Sequence, residues 1–363
     1  MNGQPLNVIQ LLSVIMLSTG LMNHVLVIPI LLEASHRDAW IAAAADLLIL
    51  PIWLLLLYFV IKQTNGQPLF EWLSTQFSPI IAYAVAFIST IFLLVHSFVT
   101  LFDTVTFTTT SYLPATPRWA LIVAITGLCF YSAYRGIQSI ANVSLILLSF
   151  VTVFGFFVML STMQHKDHSL LKPMLEHGWM PVLHGMAYAG AGYTEVIMLL
   201  FITHRLPNTF SWKSLLMIAI FTGSLSIGPT IGAITEFGPE QATRLRYPAF
   251  EQWRLVNLGT YIEHVDFLSV HQWLSGAFIR ISLFTALIVE LFPIQHRETR
   301  RWVLMVVYLA IISAALVPIG DDQFFHFVKH WVLPSSLVFS LSLSVLLSLL
   351  GVFSHLQQKR RSS

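Results

Sequence analysis

Between Met180 and Thr203 the chain reads MPVLHGMAYAGAGYTEVIMLLFIT, long and apolar enough to cross a bilayer. A backbone placed there finds no water for its amides and carbonyls, so it must satisfy itself as a helix or a closed barrel. This stretch is also built to misbehave as a helix. Gly178, Gly185, Gly190 and Gly192 fall in it or just before it. A glycine costs a helix interior about 1 kcal/mol relative to alanine, which makes the AGAG run at 189–192 a place for the helix to open. Glu195 follows one turn later, and a carboxylate at such depth belongs in the bundle interior or a cavity. The competing reading is simple close packing, with the glycines against a neighbouring helix and Glu195 bonded and inert.

The rest of the chain is of the same kind. Of its 363 residues 56% are hydrophobic and only 10% charged, whereas a soluble domain carries about 25% charged residues. A net charge of +2 is too small and too scattered to hold nucleic acid. The single cysteine, Cys129, excludes an intramolecular disulfide or a multi-cysteine metal site. No HExxH motif, phosphate loop or nucleophile–base arrangement marks an enzyme, and no cofactor is expected.

Hydropathy predicts an all-α polytopic membrane protein of about ten transmembrane helices, in a single domain over 1–363. The expected spans are about 7–32, 39–61, 80–101, 119–134, 137–160, 180–203, 214–234, 261–292, 302–319 and 333–353, with a short interfacial helix near LFEWLSTQF. Lys62, Arg135, Arg205, Lys213, Arg297, Arg300, Arg301 and the basic tail then fall on one side, which predicts both termini inside. Ten spans divide into two sets of five, over about 7–160 and 180–355. The first span of each set carries a small or glycine-rich interruption: Ser18-Thr19-Gly20, and Ala189 to Gly192. Matching interruptions point to an inverted repeat with helices 1 and 6 broken around a midplane pocket. The alternative is coincidence, since glycine is common in membrane helices.

Ser18, Thr19, Gly20, Tyr188, Gly190, Gly192, Tyr193 and Glu195 are the expected ligand-binding residues. Glu195 is suited to hydrogen-bond a ligand amine or to respond to protons. Arg280, deep in the eighth expected span, must pair with a carboxylate or snorkel to an interface. Asp46 sits inside the second span with no obvious neighbour, and Asp103 is expected in an outer vestibule after the third.

Several stretches, in order, carry a resemblance: the first span with Gln10, Gly20 and Pro29; DAW at 38–40; LPATP at 113–117; YRGIQSIAN at 134–142; HGWMPVLHG at 177–185 with the following Tyr-Thr-Glu; and YIEHVDFLSVHQW at 261–273. Together the chain resembles the B subunit of bacterial spore germinant receptors, the endospore germination permease family. That family is similar to amino acid–polyamine–organocation transporters. Two positions depart from it: Gln138 where a Glu is usual, and His264 where an Arg is expected beside Asp266. The resemblance implies a receptor subunit in the spore inner membrane or bacterial cell membrane. Its implied partners are a small nutrient such as an amino acid and the receptor's A and C subunits. The rival implication is a proton- or cation-coupled amino acid transporter.

Overall fold

The computed structural model describes residues 5–256 and 265–362. Among them all regular structure is helical. Helix α1 (Val8–Leu21) starts on an Asn7 cap whose side chain accepts from the Gln10 amide, while the Gln10 side chain accepts from the Asn7 amide. A wide π turn, Met22–Leu26, joins it to α2 (Val27–Ser35), and a 3-10 turn, His36–Asp38, leads into α3 (Ala39–Gln63). The amphipathic α4 (Leu69–Gln76) precedes α5 (Pro79–Ser111), which opens on a Ser78 cap with proline at its first position. Helices α6 (Arg118–Arg135) and α7 (Ile137–Ser161) are separated by Gly136 alone, whose φ of 91° is open to glycine and strained for other residues.

Helix α8 (Trp179–Tyr193) runs without a gap into a 3-10 segment, Thr194–Arg205. Next come α9 (Trp212–Phe237), the short α10 (Pro239–Ala242) and α11 (Pro248–Arg254), α12 (Phe267–Glu290) and α13 (Arg297–Ala315). Helix α14 (Asp321–Phe327) and a second π turn, Val328–Val332, lead into α15 (Leu333–Ser362). Two elements form the centre: α12, packed against α1, α5, α6, α7 and α13, and the α8–3-10 unit, packed against α2, α3 and α15. Their most apolar stretches are 83% buried, against 6% for that of α7, whose buried residues are Ile137, Ile140, Ala141 and Ser144 near its start.

Seven helical stretches among the described residues are long and apolar enough to cross a membrane, not about ten. The difference has physical causes. The first two expected spans form one continuous helical run, Val8–Gln63. Helix α6, the expected fourth span, is 18 residues long and bracketed by Arg118 and Arg135. Helix α13, the expected ninth, spends its first turns on Arg297, Glu298, Arg300 and Arg301. Seven stretches do not divide into two sets of five, and the five-plus-five reading falls with the count.

The interruptions also lie elsewhere than expected. Ser18, Thr19 and Gly20 stay in regular α-helix, and the first helix widens only at Met22. Gly190 and Gly192 are likewise helical, and the winding tightens after them, at Thr194. Neither helix opens at the expected residues; the second leaves helical backbone only at Ile202, ten residues beyond Gly192. The eighth expected span is shorter than 261–292, and His264 lies outside the described residues.

Candidate functional site: a buried ion pair

The chemistry of this fold converges on Arg280, in the second half of α12 and wholly buried. A guanidinium at that depth is tolerable only if its donors and its charge are met. All its donor nitrogens have partners. Nη1 donates to Glu195 Oε2 at 2.5 Å and to the Ser18 carbonyl at 2.9 Å. Nη2 donates to Glu195 Oε1 at 2.5 Å and faces His96 Nδ1 at 3.0 Å. Nε donates to Thr100 Oγ1 at 2.9 Å. The pair is a bidentate fork, the strongest geometry a carboxylate and a guanidinium can adopt. The Phe284 ring covers the guanidinium at 4.5 Å.

Local sequence explains how these groups meet. His96, Thr100 and Asp103 recur at i, i+4 and i+7 on α5, so one face of that helix is polar and looks inward. Glu195 stands at the start of the 3-10 segment, fully buried. A run of 3-10 winding this long is uncommon, and it is fixed at its far end by Thr203 Oγ1 donating to the Gln67 carbonyl.

His96 is a two-position element. Its Nε2 lies 2.7 Å from Ser336 Oγ, whose own proton goes to the Val332 carbonyl. Nε2 is therefore the donor to Ser336. The other nitrogen, Nδ1, has two neighbours: it accepts from Arg280 when the ring is neutral, or donates to Glu195 Oε1, 3.1 Å away, when the ring is protonated. One proton decides which half of the ion pair the imidazole supports.

The other expected site residues divide into two groups. Ser18 reaches the centre through its carbonyl, while its buried hydroxyl has no partner. Thr19 turns its hydroxyl back to Ile15, and its carbonyl accepts from Asn23 Nδ2, which also reaches the Gly192 carbonyl at 3.2 Å. Gly192 is the close approach: a Cβ there would lie 2.3 Å from Asn23 Oδ1. Gly20 packs against Leu225. On the opposite flank of α8, Gly190 faces Asp46, and the Tyr193 hydroxyl donates to the Ala43 carbonyl at 3.3 Å. Tyr188 is half-buried among apolar side chains and does not join the ion pair.

The π turn of the first helix has its own anchor. Pro229 lacks an amide, so the Leu225 carbonyl of α9 loses its helical donor. His24 Nδ1 lies 3.3 Å from that carbonyl, and Ser226 Oγ donates to Asn23 at 3.4 Å.

Two charged clusters close the ends of the bundle. Asp103, expected in an open vestibule, is buried on α5 one turn beyond Thr100. It accepts from Arg246 Nη2 at 2.7 Å. Arg246 also reaches Asp321 at the start of α14 and lies over the Tyr247 and Phe325 rings. Burial opposes the Arg246 cation, but Asp103, Tyr247 and Asp321 outweigh it and raise its pKa; burial and Asp103 push the Tyr247 hydroxyl up as well. At the other end Glu290 is shared by Arg300, His204 and Arg205.

Comparison with known proteins agrees with this architecture. A family model described as "Spore germination protein" matches residues 5–323. The chain is 42% identical to Spore germination protein XB of Bacillus anthracis over 341 residues, which cover 94% of this chain and 96% of that protein. Membership of a permease family carries the non-enzymatic reading. Together, the spanning helices and both matches identify the chain as a membrane-embedded member of the spore germination permease family.

Proposed function

We propose that the chain is the membrane subunit of a germinant receptor, sited in the spore inner membrane. It recognises a small zwitterionic nutrient such as an amino acid and helps trigger germination with the receptor's A and C subunits. One observation carries the reading: the buried Arg280–Glu195 fork, with the Ser18 carbonyl against it. The fork is chemically a zwitterion held in place by the protein. An amino acid carries the same two charges, so its carboxylate can take Arg280 while its ammonium takes Glu195. A ligand that exchanges with the internal pair binds one arrangement of α12 against the 3-10 segment better than the other, and so shifts their populations. Ser18 then borders the site through its carbonyl, and α1 is tied to whatever Arg280 does.

The test uses spores carrying Arg280→Lys or Glu195→Gln, with subunit abundance measured by blot and germination scored against single nutrients. A loss or change of nutrient response at normal abundance is the expected result. Normal responses from both variants would remove the ion pair from recognition. A second reading, a proton-coupled amino acid transporter, draws on the two-position His96 ring. It requires saturable uptake by the chain expressed alone, lost in Glu195→Gln, where the receptor reading requires none.

A further inference from the structure

One further carboxylate inside a spanning helix, Asp46, belongs neither to the central ion pair nor to the charged clusters at the bundle ends. Asp46 stands about two turns into α3. Its Oδ2 is enclosed and has no hydrogen-bond partner. Among the described residues the neighbouring elements pair it with no positive charge. Helix α8 presents Gly190, whose added Cβ would lie 3.0 Å from Asp46 Oδ2, and Tyr193, whose hydroxyl donates to the Ala43 carbonyl three residues before Asp46. Helix α9 presents Ser226, beside the Tyr193 hydroxyl, and α15 presents Leu337. Among the described residues no Lys, Arg or His forms an ion pair with Asp46, whereas Glu195 has both Arg280 and His96.

An ionised carboxylate at such depth is costly unless a positive charge joins it. The surroundings are acceptors and weak donors: the carboxylate itself, the Tyr193 hydroxyl and the Ala43 carbonyl to which it donates. Gly190 leaves the carboxylate in direct contact with α8, with no side chain between. We infer that Asp46 is a binding site for a small monovalent cation, either a proton or an alkali-metal ion, lodged between α3 and α8. The same +1 charge satisfies the carboxylate in both cases. The site is separate from the Arg280–Glu195 pair and does not depend on nutrient recognition there. Its occupancy would set how tightly α3 seats on the helix that carries Glu195.

The full-length chain in nanodiscs tests this in two measurements. Thermal unfolding is followed in sodium, potassium or choline chloride at constant ionic strength. Infrared spectroscopy reads the C=O stretch of a protonated carboxyl. A midpoint rise with sodium or potassium over choline, lost in Asp46→Asn, assigns an alkali-metal ion. A protonated-carboxyl band that vanishes in Asp46→Asn, with no alkali effect, assigns a proton. Absence of both while the Asn variant folds like wild type overturns the proposal. If Asp46→Asn does not fold, Gly190→Ala decides, because it keeps the carboxylate and crowds it. A shifted half-saturating salt concentration or band midpoint supports the site, and an unchanged one rejects it.

Discussion

Glu195 and Asp46 are both carboxylates within spanning helices, one just past the end of α8 and the other on α3 against Gly190 of α8, with opposite outcomes. Glu195 is met by two guanidinium nitrogens and an imidazole. Asp46 has an enclosed oxygen that meets no donor among the described residues. The contrast shows that depth alone does not settle what an acidic side chain does in a membrane protein. What matters is whether the opposing helix brings a cation. Helix α12 supplies Arg280 to one carboxylate, whereas the other meets the backbone of Gly190.

The comparison breaks most directly at Arg280. Glu195→Ala should cost about 3–5 kcal/mol, because it strands a buried guanidinium. The double variant Glu195→Leu with Arg280→Met should recover most of that loss, since removing both charges removes the need for either. Unfolding midpoints of the purified chain check both, and a double variant no better than the single would mean that shape, not charge, holds the site.

The glycines sharpen the contrast at smaller cost. Gly192→Ala drives a methyl into Asn23, whose amide is fixed by the Thr19 and Gly192 carbonyls, and should cost about 1–3 kcal/mol. Gly190→Ala meets the end of the Asp46 side chain and, at 3.4 Å, that of Leu337, and should cost less in the same unfolding assay. Asp46→Asn should stay within about 1 kcal/mol of wild type, because a neutral amide needs no counter-charge. At the surface, Glu251→Gln removes an exposed i,i+3 partner of Arg254 and should change stability by less than about 0.5 kcal/mol.

Much of this was legible in the residues before any coordinates. The apolar stretches announced a helical membrane protein, and Glu195 and Arg280 announced themselves by being charged where charge is expensive. Gly192 was legible as a close approach only in the competing reading, since the favoured one had the helix open there. Three things were not. The partnership of Arg280 with His96 and Thr100 is a contact between residues some 180 positions apart. The spacing of His96, Thr100 and Asp103 was the available signal, because it puts three polar groups on one helical face. The site of widening in the first helix was misplaced because small residues such as Ser18 and Gly20 pack well in an α-helix. Asn23 and His24 mark the true position, since their side chains bond to neighbouring helices. The number of spans was overcounted where α6 and α13 trade apolar length for arginines, and where α1 to α3 run on as one helical stretch.

The tight winding after Glu195 amounts to a reserve of length. Ahead of the non-helical residue Ile202, the eight residues Thr194–Phe201 are wound as a 3-10 helix. At that pitch they cover about 16 Å, and as an α-helix they would cover about 12 Å. Rewinding would therefore draw the Arg205 end about 4 Å toward the ion pair, each i→i+3 hydrogen bond being exchanged for an i→i+4 one. Arg205 lies within the Glu290 cluster, and its carbonyl holds the Leu6 amide, so such a stroke would arrive at the entry of α1. Under the proposed exchange at Glu195, such rewinding would carry the change to the far end of the bundle as a shortening of one strut rather than a tilt of many.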